Sequence, residues 1–390
     1  MKRVAIVVHA IFPGDPRVRR QSDALLDAGY EVDIVCLRQR DEPAEEIDGR
    51  LRIMRLPVNR SFVGFAGHMA EYVAFTAMVA WRLAREHRRR RYDLVQVATV
   101  PDFLGFAALP EKLAGIPLLL DLHEDMPEFF RDRFPRRLLR PLMPVVTGTA
   151  RAAAAFADEL ITVHEPLREL SIARGVDPDR ISVVMNSADG RLFDPERHTR
   201  RAFMADRTLR LIHHSNLQRI YGLDVAIEGL AMVSPEVPWH LDVYGDGPWK
   251  PAVEASIDRT RTRGRITLHG RVPMDDLPAL LAGADIGLVP SLPEPYLEYS
   301  LSTKLLEYAA MGVPTIASDL ATFRHHFTDD ALCFVPGGDP AALARAVESL
   351  AADPGGTVAM GAEARRQAAS YDWEMQKERY LAVVERLIAA

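Results

Sequence analysis

The sequence predicts an α/β protein built of two parallel-sheet halves, and three observations carry that expectation. Short, continuous apolar runs such as residues 4–8 and 286–289 suit strands covered on both faces. Stretches with helical apolar spacing alternate with those runs along the chain, which is the βαβ pattern. A polar segment rich in Arg, Asp and Pro, from 186 to 207, interrupts the alternation, which then restarts. At 390 residues the chain has length for two ordinary domains with full cores.

Composition narrows the function classes. Apolar residues make up 48% and charged residues 26% of the chain, the balance of an ordinary soluble globular protein. A net charge of −6 gives no electrostatic case for nucleic acid, and none is expected as a partner. Cys36 and Cys333 lie in apolar runs without CxxC spacing and read as buried thiols in a reducing cytoplasm. The opening reads as a first strand rather than a signal peptide, because its apolar run is short and no small-residue cleavage site follows. The longest apolar run, 72–80, is too short to span a bilayer. Five lysines against 43 arginines, with a heavy alanine load, suggest a GC-rich bacterial genome.

Taken in order, residues 4–8 form a strand, 9–16 a turn-rich loop containing Gly14, 17–28 a helix stopped by Gly29, and 31–37 the next strand. Such a βαβ unit binds ligands beyond the carboxyl ends of its strands. No GxGxxG follows the first strand, so no dinucleotide site is expected there. A strand at 51–56 and a helix at 66–90 come next. The arginines 88–91 favour a helix C-terminus and water, with an anionic membrane surface as the other reading. Strand 94–98, helix 103–113 and strand 117–121 follow. The last runs straight into Asp121-Leu122-His123-Glu124-Asp125, where an α/β protein builds sites; loop capping by His123 and Glu124 is the competing reading. Residues 129–142 interleave Phe, Leu and Arg, and read as an exposed loop and helix with snorkelling arginines or as a membrane-surface segment. Helix 150–157, strand 159–163, helix 165–174 and strand 181–185 complete a first domain at 1–190, with a linker at 191–207.

The second domain, 208–370, begins with strand 209–213, helix 222–233 and strand 239–244. The turn Gly245-Asp246-Gly247-Pro248 follows, then a helix to about 261 and strand 266–268, which ends in His269-Gly270-Arg271. Helix 275–282 and strand 286–289 lead into an acidic loop. The next helix starts at Ser300 or Ser302 and stops at Met311, ahead of Gly312 and Pro314. Strands 315–317 and 332–335 and helices 341–351 and 362–369 come after it. A last amphipathic helix lies within 371–390. Lys304 falls in the first turn of the helix after the acidic loop, where the dipole is positive and a cation costs about 0.3–1 kcal/mol. A bound anion would resolve that conflict, since free amides and an ammonium make a phosphate site. Glu307, one turn on, would accept hydrogen bonds from neighbouring hydroxyls. The other reading is a surface Lys304–Glu307 pair, worth little.

FPGDPRVRRQSDALLDAGYEV at 12–32, DLHED at 121–125, VYGDGP at 243–248 and SLSTKLLEYAAMGVPTIASD at 300–319 jointly resemble the GT-B glycosyltransferases. More narrowly, the chain is similar to glycosyltransferase family 4, the retaining type, over essentially its whole length. The resemblance implies two Rossmann-like domains facing across a cleft, with the last helix returning to the N-terminal domain. It implies a sugar nucleotide on the C-terminal domain and an acceptor mainly on the N-terminal one. Carried over by position, Glu307 accepts the ribose hydroxyls, and the turn Ser300, Leu301, Ser302, Thr303, Lys304 holds the diphosphate. His123 contacts the donor sugar near the reacting centre, and Gly14 lets the first loop approach the diphosphate. Gly245, Gly247, Gly270 and Arg271 border the nucleotide. Two positions depart from the family pattern. The residue eight before Glu307 is Tyr299, leaving Glu298, one position off, as the carboxylate for a catalytic sugar contact. The usual phosphate-binding Arg and Lys fall near Asn216 and Tyr221, so Arg219 is the nearest cation.

The implied reaction is transfer, with retention, from a nucleoside-diphosphate sugar to an acceptor hydroxyl. No cofactor and no metal are expected: no DxD-type cluster follows a strand, and Asp242, Asp246, Asp275 and Asp276 read as turn and cap residues. The expected acceptor is a glycan, a lipid-linked sugar or a small molecule, as in cell-surface polysaccharide or natural-product glycosylation. The protein is expected in the cytoplasm or peripheral at the inner face of the membrane. Two rival functions fit the same residues. One is a GT-B-type nucleotide-sugar epimerase using Glu124, Asp125 or Glu298, which would isomerise donor without acceptor. The other is a non-catalytic sugar-nucleotide-binding partner subunit, which would bind donor without turnover.

Overall fold

The apolar runs that the sequence offers as strands pair into two sheets. The computed structural model describes residues 1–58, 64–134 and 137–389, and divides into one unit of Met1–Asn186 with Glu374–Ala390 and another of Ser187–Trp373. The first unit holds β1 (Arg3–Ile11), β2 (Glu31–Leu37), β3 (Glu45–Asp48), β4 (Leu51–Leu56), β5 (Leu94–Ala98), β6 (Leu118–Leu122), β7 (Glu159–Thr162) and β8 (Ile181–Val183). They lie in the order β3-β4-β2-β1-β5-β6-β7-β8, all parallel except β3 against β4. The second unit holds β9 (Leu209–His214), β10 (Trp239–Tyr244), β11 (Ile266–Gly270), β12 (Ile286–Val289), β13 (Thr315–Ser318) and β14 (Cys333–Val335). Their order is β11-β10-β9-β12-β13-β14, parallel throughout.

Helices cover these sheets by the spacing of their apolar residues. In Gly64–Arg89, Phe75, Val79 and Leu83 recur every four residues and are wholly buried. Each such side chain stabilises the unit by about 1.5–3 kcal/mol. Arg90, just beyond that helix, bonds Glu31 at 2.7 Å, so one of the four consecutive arginines is held by an exposed ion pair.

Several expected bounds change. Residues 103–113 are a 3-10 turn, Asp102–Ala108, followed by the short α-helix Leu109–Leu113 with Pro110 in its first turn. A helix not anticipated, Met126–Arg133, is capped by Asp125, whose carboxylate accepts the Glu128 N–H at 2.9 Å. The helix expected at 150 begins at Met143, where Pro144 suits a first turn. Of the stretch 129–142, Pro135 and Arg136 lie outside the described residues. Phe130 is buried, its ring 5.7 Å from that of Phe65 and 5.2 Å from that of Phe134, so that aromatic is spent inside the domain. Among the described residues no helix is long and apolar enough to cross a membrane.

The segment expected as a linker, 191–207, belongs to the second unit. Phe193 is buried in its core, and Arg201 donates to both oxygens of the buried Asp285 at 2.8 and 2.7 Å. A polar sequence without periodicity gave no sign of these long-range partners. The C-terminal helix, Trp373–Ala389, packs on the first unit from Glu374 onward. There Gln376 Oε1 accepts the Met185 N–H at 2.9 Å, Lys377 meets Asp27 at 2.9 Å and Arg386 meets Glu159 at 2.7 Å.

Candidate functional site

The loop leaving β12 turns into the helix Thr303–Ala310, ended by Gly312 and Pro314 as the sequence requires. Ser302 sits at its N-cap, yet the hydroxyl makes no capping bond, and its Oγ is buried without a partner among the described residues. The expected side-chain cap is therefore absent. The Leu305 N–H bonds the Ser302 carbonyl at 3.1 Å, while the amides before it have no upstream helical carbonyl and open at the N-terminus. Ser300, Leu301 and Ser302 are half-buried and Thr303 is exposed.

Lys304 is buried, and its ammonium stands 4.1 Å from the centroid of the Tyr221 ring. Burial lowers its pKa to about 8, with Glu307 acting in the opposite sense. The surface Lys304–Glu307 pair of the sequence reading does not form. Glu307 instead meets His214 Nε2 at 2.6 Å, while His214 Nδ1 lies 3.1 Å from the Tyr308 hydroxyl. His214 closes β9 and is a functional candidate that the sequence reading missed. Its signal was a histidine pair at a strand's C-terminal end. The neighbour His213 is pushed down to about 3, by burial first and by the Lys304 charge second.

The other expected donor residues are placed as follows. Arg219 lies on a 3-10 turn after β9 and is ion-paired with Glu294 at 2.7 Å, so its charge is engaged. Glu298 Oε2 accepts the Ala321 N–H at 3.1 Å, and its carbonyl accepts the Thr322 hydroxyl. That carboxylate thereby meets the first amide of the helix Ala321–His326. A Cβ on Gly245 would lie 1.8 Å from the Ser215 carbonyl oxygen, and one on Gly247 2.3 Å from that of Leu217. Glycine is required at both by the close approach of the loop after β9, with or without a ligand. Gly270 ends β11 and accepts the Gly245 N–H, with Arg271 exposed beyond it. Beside them the His269 ring stacks on Tyr244 at 4.4 Å and bonds Asp242 at 2.7 Å. Among the described residues no three His, Cys, Asp or Glu side chains gather as metal ligands.

In the first unit the DLHED segment carries a buried charge cluster. Asp121, wholly buried in β6, accepts from Arg17 Nε at 3.0 Å and Nη2 at 2.7 Å, and from Gln21 Nε2 at 2.7 Å. His123 Nε2 lies 3.3 Å from the same carboxylate, and its Nδ1 3.9 Å from Asp15. Burial raises the Asp121 pKa, but Arg17 and His123 outweigh it and hold the carboxyl well below its usual range. Burial likewise works against a charged His123, and Asp121 with Asp15 overcomes it, so the imidazole pKa is raised. The Nε2 edge of His123 is thus held toward an acceptor carboxylate. Gly14 directly precedes Asp15, which caps the helix Pro16–Asp27 through the Arg17 and Val18 N–H groups at 3.0 and 3.1 Å. Arg17 and Gln21 were not anticipated, because their common partner lies about a hundred residues on.

Comparison with known proteins adds independent information. Residues 14–187 match the family model described as a glycosyl transferase 4-like domain, and residues 208–353 the one described as glycosyl transferases group 1. The D-inositol 3-phosphate glycosyltransferase of Xylanimonas cellulosilytica is 27% identical over 373 residues, covering 90% of this chain and 86% of that protein. Sucrose-phosphate synthase from Thermosynechococcus elongatus has the same fold, with a TM-score of 0.80 at 19% identity over 100% of both chains. The Anabaena protein HepE, solved in complex with UDP-glucose, gives a TM-score of 0.72 at 16% identity over 99% of this chain and 100% of that one.

Proposed function

We propose that this chain, which belongs to the GT-B glycosyltransferases of the family 4 type, transfers a sugar with retention from a nucleoside-diphosphate sugar to an acceptor hydroxyl, without a metal ion. One observation carries the donor reading: open amides, the buried Lys304 ammonium and the Glu307 carboxylate gather within one turn of the helix Thr303–Ala310. In this reading the amides of Leu301, Ser302 and Thr303 and the Lys304 ammonium take the diphosphate, and Glu307 accepts the ribose hydroxyls. The same positive charge stabilises the diphosphate as it leaves, which is the work a metal would otherwise do. His123, its Nε2 edge held by Asp121, presents its other edge to the transferred sugar.

Retention follows from the family resemblance, and the engagement of Glu298 with the Ala321 N–H argues against it as a covalent nucleophile. In the proposed step the acceptor oxygen bonds the anomeric carbon on the face that the diphosphate leaves. The bond from that carbon to the phosphate oxygen breaks, and the acceptor proton passes to the departing oxygen. HepE was solved with UDP-glucose, so uridine donors are the first to try, and inositol 3-phosphate is the first acceptor. The free thiols Cys36 and Cys333 suit a reducing cytoplasm.

The test is a thermal-shift screen of UDP-, GDP-, ADP-, CMP- and dTDP-sugars, followed by turnover and NMR of the product. Binding, turnover in the presence of EDTA and a product anomer matching the donor are expected. An inverted anomer refutes retention, and activity lost in EDTA and restored by Mg2+ refutes metal independence. Absence of binding by every nucleotide sugar refutes the donor site.

A further inference from the structure

The C-terminal helix sends one wholly buried hydroxyl into the first unit, and that hydroxyl starts a chain of hydrogen bonds ending at His123. Tyr380 donates to Gln96 Oε1 on β5 at 2.6 Å. Gln96 Nε2 donates to Gln21 Oε1, on the helix Pro16–Asp27, at 2.8 Å. Gln21 Nε2 donates to Asp121 Oδ2 at 2.7 Å, and His123 Nε2 stands 3.3 Å from that same oxygen. Tyr380, Gln96, Gln21 and Asp121 are each 0% exposed, so water does not compete for any link.

The chain has one direction. An ionised Asp121 can only accept, so Gln21 must turn its amide nitrogen toward it and its oxygen toward Gln96. Gln96 must then present its nitrogen to Gln21 and its oxygen to Tyr380, which supplies the one hydroxyl proton the chain needs. Hydrogen bonds aligned in this way polarise one another, so a change at the far end is felt at the carboxylate. Gln96 Nε2 also reaches Asp121 Oδ2 directly, in a longer bond of 3.5 Å.

We propose that Tyr380 is a positioning residue for His123, acting through Gln96, Gln21 and Asp121, so that the seat of the C-terminal helix sets the imidazole's bond to its carboxylate. The inference rests on the reading of His123 as the group that contacts the transferred sugar. A satisfied polar core would account for any single link. It does not account for a continuous, unidirectional path of four buried residues from four chain segments that ends on the site histidine. The charged groups facing His123 are Asp121, Asp15 and Arg17, and of these the chain reaches only Asp121.

The experiment is a double-mutant cycle of Tyr380→Phe with His123→Ala on the full chain, with Tyr371→Phe as a control tyrosine from the second unit. Tyr380→Phe keeps the ring and its packing, and unfolding curves check that the fold survives. We expect it to lower kcat about three- to tenfold with little change in donor KM, the loss expected for one hydrogen bond. We expect no further loss in the His123→Ala background. NMR titration of the His123 imidazole should move upward, because a weakened Gln21 donor leaves more charge on Asp121 for the imidazolium. Additive losses overturn the proposal, as does an unchanged or lowered His123 titration. If His123→Ala alone leaves kcat intact, the role of His123 at the sugar fails instead, a result distinct from additivity.

Discussion

Replacing Lys304 with Met should stabilise the protein while spoiling its grip on diphosphate. Burial lowers this lysine from 10.5 to about 8. A lysine whose pKa is lower folded than unfolded favours the unfolded chain wherever both forms are protonated. The penalty is complete below pH 8 and fades as pH rises from 8 to 10.5. At about 1.4 kcal/mol per pH unit the gap amounts to about 3 kcal/mol. The Tyr221 ring, 4.1 Å from the ammonium, gives back about 0.5–2 kcal/mol of it through the cation–π contact. Methionine keeps an unbranched stem against that ring. The expected net gain for Lys304→Met at pH 7 is therefore about 1–3 kcal/mol, or several degrees in Tm. It should shrink toward zero near pH 10.5. Calorimetric titration should show the affinity for a nucleoside diphosphate falling about tenfold to a hundredfold, the loss of one charge-assisted hydrogen bond. A variant less stable than the parent at pH 7, or one that binds the nucleotide unchanged, would refute the reasoning.

Glu307→Gln should weaken nucleoside diphosphate binding by about tenfold or more, whereas a 2′,3′-dideoxy nucleotide should bind parent and variant alike; equal losses for both ligands would count against ribose recognition. His123→Ala should cut turnover far more than nucleotide affinity, and proportionate losses in both would remove it from the sugar. Gly245→Ala drives a Cβ into the Ser215 carbonyl and should leave the second unit unfolded or much less stable; an unchanged unfolding midpoint would show the backbone yields there. Asp102, raised to about 7 by burial and by the Asp125 charge, weakens the fold above pH 7 and ceases to do so as pH falls toward 3.8. Asp102→Asn should therefore stabilise by about 2–4 kcal/mol at pH 8 and by much less near pH 4, and a pH-independent effect would contradict the assignment.

What the sequence made legible follows from where the information for each feature lies. Strands such as Leu118–Leu122 are buried on both faces and announce themselves as apolar runs. The edge strand Glu45–Asp48 is exposed at every residue, so no alternation marked it. The helix Met126–Arg133 carried a local signal, Asp125 followed by Pro127, that was masked by the functional interest of the same residues. In the site, Lys304 stood out because its conflict with the helix dipole is local. Its ring partner Tyr221 and the Glu307 partner His214 lie some eighty to ninety residues earlier in sequence. Only the parallel crossover between β9 and β12 brings them together. The Asp121 hub was half legible for the same reason: its own position at a strand's end is a local fact, but Arg17 and Gln21 are not.

The second departure from the family pattern falls beside Lys304. Where a second cation would stand, Tyr221 presents a ring face to the Lys304 ammonium, turning a repulsion into an attraction. His213 adds no competing positive charge, because burial and Lys304 hold it neutral. Its Nδ1 donates to the Leu288 carbonyl at 2.9 Å, and its Nε2 accepts from the Ser215 hydroxyl at 2.9 Å. Arg219, the cation that sequence position favours, is ion-paired with Glu294, whereas Lys304 makes no ion pair among the described residues. A buried charge that is neither paired nor cancelled costs stability unless something else arrives to meet it. The arrangement is therefore more economically explained as a receptor for an anion than as a structural contact, in keeping with the phosphate-binding role expected of Lys304.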